Sequence, residues 1–122
     1  MRNEVTDILV VDDDSLLVNV ISEIFKEFGL VVRTASDGFA AAAAIRDFVP
    51  DILISDLNMP RMPGFELLSI VRRRFPAIAV IAMSGAYSGV AVPQGAEPTL
   101  FMPKAQVAWL NFSRYCVPLR TR

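Results

Sequence analysis

The chain has no histidine, and Cys116 is the single cysteine among its 122 residues. Without imidazole there is no Ser-His or Cys-His couple, no histidine metal ligand and no neutral-pH base of the usual kind. A lone cysteine excludes an internal disulfide and a cysteine-rich zinc site, and it is compatible with a reducing cytoplasm. A charge excess of either sign is also missing. Twelve Lys and Arg against 13 Asp and Glu leave a formal charge of -1, which gives no support for a strongly basic nucleic-acid or membrane-surface protein. Met1-Arg2-Asn3-Glu4 leads into an apolar run too short for a signal-peptide core or a membrane span. The expected location is the cytoplasm. A chain of 122 residues is the size of one domain, long enough to bury roughly two thirds of its unfolded surface.

What is present is an alternation of short apolar runs with helical periodicity. Asp7 to Val11 reads as a strand, apolar from Ile8 onward, after which Leu17, Val20, Ile21, Ile24, Phe25 and Phe28 recur at helical spacing until Gly29. Leu30 to Thr34 reads as a second strand. Phe39 to Phe48, with five consecutive alanines, reads as a helix packed closely on the sheet and stopped by Pro50. Asp51 to Ser55 is a third strand, Asn58 to Gly64 a rigid turn, and Phe65 to Phe75 a helix whose last turn carries Arg72, Arg73 and Arg74. Those arginines suit the negative end of the helix dipole. Ala77 to Met83 is a fourth strand and Thr99 to Met102 a fifth. Gln106 to Cys116 is a last helix. Between Tyr87 and Pro98, Gly89, Pro93, Gly95 and Pro98 leave room for only a short or irregular fourth helix. Apolar strands alternating with helices imply a parallel sheet covered on both faces, and right-handed crossovers leave a doubly wound α/β fold as the main solution.

The charged residues that stand out lie at strand ends. Asp12, Asp13 and Asp14 follow the first apolar run directly. Carboxylates crowded there repel one another by roughly 4 kcal/mol per pair at about 4 Å and a dielectric near 20, so a compensating cation is expected. Asp14 is assigned to capping the first helix. Asp56 follows the third strand, Ser84 the fourth and Lys104 the fifth. In an open parallel sheet ligands bind at these C-terminal strand ends. An acid pair, a lone aspartate, a hydroxyl and a lysine, each at the same end of its own strand, form a more specific pattern than any one of them alone.

At these residues the chain resembles the response regulator receiver family, the CheY-like phosphoacceptor domains of two-component signalling. The resemblance covers nearly the whole chain. It is carried by Ile8-Leu9-Val10-Val11-Asp12-Asp13-Asp14, Ala35-Ser36-Asp37-Gly38, Asp51 to Pro60 with Gly64 to Leu68, Ile81 to Ala86, and Lys104. It implies a single receiver domain over residues 1–122, with a five-stranded parallel sheet in the order 2-1-3-4-5. Asp56 would be the phosphoacceptor. Asp13, Asp56 and the backbone carbonyl of Asn58 would ligate Mg²⁺, and Asp12 would act through a metal-bound water. Ser84 and Lys104 would contact the phosphoryl oxygens, and Phe101 would change its packing as the switch. The implied partner is a sensor histidine kinase or a phosphotransfer protein, with no nucleic acid or membrane bound by this domain. The implied role is signalling, not enzymatic turnover of a separate substrate. Two departures mark this chain: Ala105 stands after Lys104 where the family usually has proline, and the segment between Ser84 and Lys104 is slightly short.

Two other readings use the same residues. A haloacid-dehalogenase-type phosphatase would use Asp12 as nucleophile, but it needs acids after the lysine, and no Asp or Glu follows Glu97. A degenerate receiver would bind partners without phosphorylation. The apolar Val107, Trp109, Leu110, Phe112 and Tyr115 occupy more than one side of the last helix, which suggests a surface for an output partner or a second copy.

Overall fold

The period-two alternation in the apolar strands sends successive side chains to opposite faces of one sheet, so two cores are required. The computed structural model, which describes residues 6–57, 64–84 and 100–103, contains both. Its elements run β1 (Asp7–Val11), α1 (Ser15–Glu27), β2 (Val31–Ala35), α2 (Gly38–Asp47), β3 (Ile52–Asp56), α3 (Gly64–Arg74), β4 (Ala79–Ser84) and β5 (Leu100–Pro103). The strands pair in the order β2-β1-β3-β4-β5, and every pairing is parallel. This is the doubly wound, CheY-like order. The stretch from Tyr87 to Pro98 and the helix expected over Gln106 to Cys116 lie outside the described residues.

Leu9, Val11, Leu53, Val80 and Ala82 face the core covered by α2 and α3, through Ala41, Ile45, Leu67, Leu68 and Val71. Ile8, Val10, Ile52, Ile54, Ile81 and Met83 face the other core, where α1 contributes Val18, Ile21 and Phe25. Ala41 is fully buried and Ala44 packs against the same cluster, so the alanine run does bring α2 close to the sheet.

The buried stripe of α1 differs from the sequence expectation. It runs through Val18, Ile21, Ser22 and Phe25, whereas Val20 is 48% and Phe28 68% exposed. Both sets have helical spacing. Tertiary packing over Ile8 and Ile54 selects the one centred on Ile21 and carries Ser22 inside with it. Element ends also move by one or two residues, because ladder hydrogen bonds define them. β2 and β3 each begin one residue late, so Asp56 is the last residue of its strand, not the first beyond it. Pro76, Ala77 and Ile78 form a turn, and β4 starts at Ala79. Asp14 caps α1 as expected, its carboxylate accepting the Leu17 amide at 3.2 Å, and Asp37 caps α2 through the Ala40 amide at 2.8 Å. Gly29, at φ 84°, closes α1 in the left-handed conformation that glycine adopts freely.

Arg33 ties the edge strand to its surroundings at the end of the sheet away from Asp12. Its guanidinium donates to the carbonyls of Ala44 (2.9 Å) and Phe48 (2.6 Å), pairs with Asp7 at 3.1 Å, and lies 5.3 Å from the centre of the Phe48 ring. Asp7 is in turn bound to Asp51, whose carboxylate accepts the Asp7 amide at 2.8 Å. One side chain thus serves the Phe48 carbonyl just past the end of α2 and adds a second donor to the Ala44 carbonyl, which already accepts the Phe48 amide at 3.1 Å. Arg33→Ala is expected to lower unfolding free energy by about 1–3 kcal/mol in urea titrations. Arg33→Lys should recover less than half, since an ammonium lacks the planar fork.

Candidate functional site

β1 and β3 are adjacent and parallel, with Val11 opposite Ser55. The next residue on each strand is therefore an aspartate, Asp12 beside Asp56. Neighbouring parallel strands lie about 4.8 Å apart, so the fold itself sets these two carboxylates against each other. Both are buried, Asp12 at 2% and Asp56 at 1% exposure, and Asp13 is exposed. One carboxylate oxygen from each of Asp12, Asp13 and Asp56 lies within 4.8 Å of the others.

Local hydrogen bonds hold these positions. The Asp12 amide donates to the Ala35 carbonyl at 3.1 Å, which carries the β1–β2 ladder one residue past the strand. Oδ1 of Asp12 accepts the Asp14 amide at 2.9 Å, a short Asx turn that orients its carboxylate and leads into the α1 cap. On the other side Asp56 is opposite Met83 in the β3–β4 ladder, and the Leu57 amide donates to the Met83 carbonyl at 3.0 Å. The Ser55 hydroxyl donates to the Asp56 carbonyl at 3.2 Å.

Of the site residues expected from sequence, Asp12, Asp13 and Asp56 come together. Ser84 ends β4 one residue beyond the Asp56–Met83 pair, and the backbone of Phe101 is opposite Ala82 in β5. Asn58 and Lys104 lie outside the described residues. A pocket of about 150 Å³ beside Asp12 and Asp13 is lined in addition by Ser15, Asn19 and Thr34. These three were not singled out from sequence. Ser15 and Asn19 could have been, because a cap at Asp14 places them one helical turn apart above the acids.

The donor set is three carboxylates, which are hard oxygen ligands. It suits Mg²⁺, which takes one or two carboxylates and completes its octahedron with waters and phosphate oxygens. The residues present therefore fit that ion, with Asp12, Asp13 and Asp56 as the groups that would hold it.

Comparison with known proteins bears on the family and the fold. A family model, the response regulator receiver domain, matches residues 8–99. Transcriptional regulatory protein ZraR of Klebsiella oxytoca is 34% identical over 108 residues, covering 84% of this chain and 24% of that protein. The DNA-binding transcriptional regulator NtrC of Salmonella typhimurium is 39% identical over 75 residues, covering 62% of this chain and 16% of that protein. The chain thus spans about a quarter or less of the length of these two relatives. Among solved structures, chemotaxis response regulator CheY4 of Vibrio cholerae superposes with a TM-score of 0.74 at 25% identity, covering 85% of this chain and 93% of that one. The signal receiver domain of an HD domain-containing protein from Pseudomonas fluorescens gives a TM-score of 0.84 at 17% identity, covering 98% and 100%, a likeness of fold.

Proposed function

The chain belongs to the response regulator receiver domain family, and from that premise we propose that residues 1–122 act as one phosphoacceptor unit in which Asp56 takes a phosphoryl group from a histidine kinase or a phosphotransfer protein. The observation that carries this reading is the placement of buried Asp56 at the end of β3 with its carboxylate among those of Asp12 and Asp13. In the proposed step an Asp56 carboxylate oxygen forms a bond to phosphorus as the phosphorus–nitrogen bond to the donor imidazole breaks. The electron pair stays on the imidazole nitrogen, and the product is an acyl phosphate. With acetyl phosphate as donor the bond broken is phosphorus–oxygen and the leaving group is acetate.

The chain's own part is positioning. The β1–β3 register fixes Asp56 against Asp12, and the Asx turn at Asp14 fixes the Asp12 carboxylate. Mg²⁺, when held by Asp13, Asp56 and the carbonyl of Asn58, with Asp12 acting through a metal-bound water, would supply positive charge that offsets the repulsion between a carboxylate and an incoming phosphoryl dianion. Ser84 and Lys104 are the proposed partners of the phosphoryl oxygens, and Phe101 the proposed readout. An output partner or second copy on Gln106 to Cys116 belongs to the same proposal and lies outside the described residues. No described helix is long and apolar enough to cross a membrane, and a cytoplasmic location is proposed.

Acetyl phosphate with Mg²⁺ should add the mass of one phosphoryl group to the intact protein, and neutral hydroxylamine should remove it, as expected of an acyl phosphate. An unchanged mass, with no spectral response to beryllofluoride, would leave a receiver that binds partners without phosphorylation.

A further inference from the structure

α2 and α3 lie on the same face of the sheet, and between them runs an apolar slot that the phosphoacceptor site does not use. A cavity of about 70 Å³ there is lined by Ala42, Ile45, Leu67 and Ile70, with Arg46 and Arg74 at its rim. Phe75 joins it to a second cavity of about 330 Å³, floored by Val49, Pro50 and Ile78. The two make one apolar depression running from the middle of the helix pair to the turns below it.

The charge around the cavity between the two helices is one-sided, whereas Asp51 lines the second cavity. Arg46, Arg73 and Arg74 are exposed, and the ion pair found among the described residues is Arg33 with Asp7. The nearest acids on the same helices point elsewhere or lie far off. Asp47 is about 140° around α2 from Ala42, and Glu66 is about 12 Å along α3 from Arg74. The chain does not carry much acid with which to cover the rim. Outside the described residues its only acids are Glu4 and Glu97, and residues 98–122 contain four cations and none.

We infer that the α2–α3 depression is a docking surface for an acidic amphipathic segment of another protein, whose apolar side chains enter the slot between Ile45 and Ile70 while its carboxylates meet Arg46 and Arg74. A concave apolar floor fits side chains better than a flat bilayer, and it offers few of the phosphate contacts from which nucleic-acid affinity is built. The alternative role for these arginines is to face the negative ends of α2 and α3. That role needs the charges but not the slot, and it predicts an effect on stability alone.

The test uses a fluorescein-labelled peptide with leucines at positions i, i+3 and i+7 and glutamates between them, followed by fluorescence anisotropy. A lysine-for-glutamate peptide and a duplex DNA of similar size serve as comparisons. The acidic peptide should bind saturably, and its Kd should rise at least about tenfold in the Arg46→Glu/Arg74→Glu protein. A smaller loss in Ile70→Ser would identify the apolar floor. Phosphorylation by acetyl phosphate should be unchanged in these variants, so failure of the docking proposal and failure of the phosphoacceptor proposal read out separately. The inference is overturned if the acidic and lysine peptides bind alike, if DNA binds more tightly than the acidic peptide, or if the double variant has a lower melting temperature with unaltered peptide affinity.

Discussion

Asp56→Asn is expected to reduce phosphoryl incorporation from acetyl phosphate by on the order of a thousandfold or more, to the background of the reagent alone, while the fold survives. The amide is nearly isosteric with the carboxylate, so the volume Asp56 occupies at the end of β3 is kept, as is the ladder position opposite Met83. What is lost is the nucleophile: the nitrogen lone pair of an amide is delocalised, and its oxygen carries no full charge. The same substitution separates the proposed chemistry from attack by Asp12, because Asp12 remains buried and bound by the Asp14 amide in the variant. Intact-mass measurement over time is the readout, with thermal melting as the control for folding. A phosphoryl adduct that persists in Asp56→Asn and maps to the peptide containing Asp12 and Asp13 would sink the assignment.

The site was legible in the sequence because its geometry depends on so little. Apolar runs that end in aspartate, once placed as parallel neighbours, must bring Asp12 and Asp56 together, and strand pairing is a local consequence of hydrophobic patterning. The order of the strands was legible only through the family resemblance, since alternation alone leaves several doubly wound arrangements. Arg33 was not legible. Nothing local distinguishes an arginine on an edge strand from a solvated one, and its partners at Asp7, Ala44 and Phe48 are 26, 11 and 15 residues away. Val20 and Phe28 misled for a related reason. They fit the helical period as well as Val18 does, and only the shape of the sheet beneath α1 decides which stripe is buried. The slot between α2 and α3 was hidden likewise, because it depends on how two helices remote in sequence pack side by side.

Asp13→Asn is expected to stabilise the protein without divalent cations and to remove most of the stability that Mg²⁺ adds to the wild type. With carboxylate oxygens within 4.8 Å, each like-charged pair costs between about 1 kcal/mol at the dielectric of water and about 3.5 kcal/mol at a dielectric near 20. Asp13 is exposed, so the lower figure applies to it, and removing its charge from two such pairs should add about 1–2 kcal/mol to the unfolding free energy in EDTA. In the wild type, Mg²⁺ at a hundred times its Kd should add about 2.7 kcal/mol by mass action. The variant loses one of the carboxylates that would hold the ion, and with a Kd weakened about a hundredfold it should gain only about 0.4 kcal/mol at the same concentration. The order of stability therefore inverts. Asp13→Asn is the more stable protein in EDTA and the less stable in saturating Mg²⁺, a crossing visible in paired urea titrations. Substitutions that merely perturb packing would shift both curves the same way. A loss of stability in EDTA would show that the Asp13 carboxylate makes favourable contacts outweighing its repulsion from Asp12 and Asp56, and an equal Mg²⁺ increment in both proteins would place the ion away from Asp13.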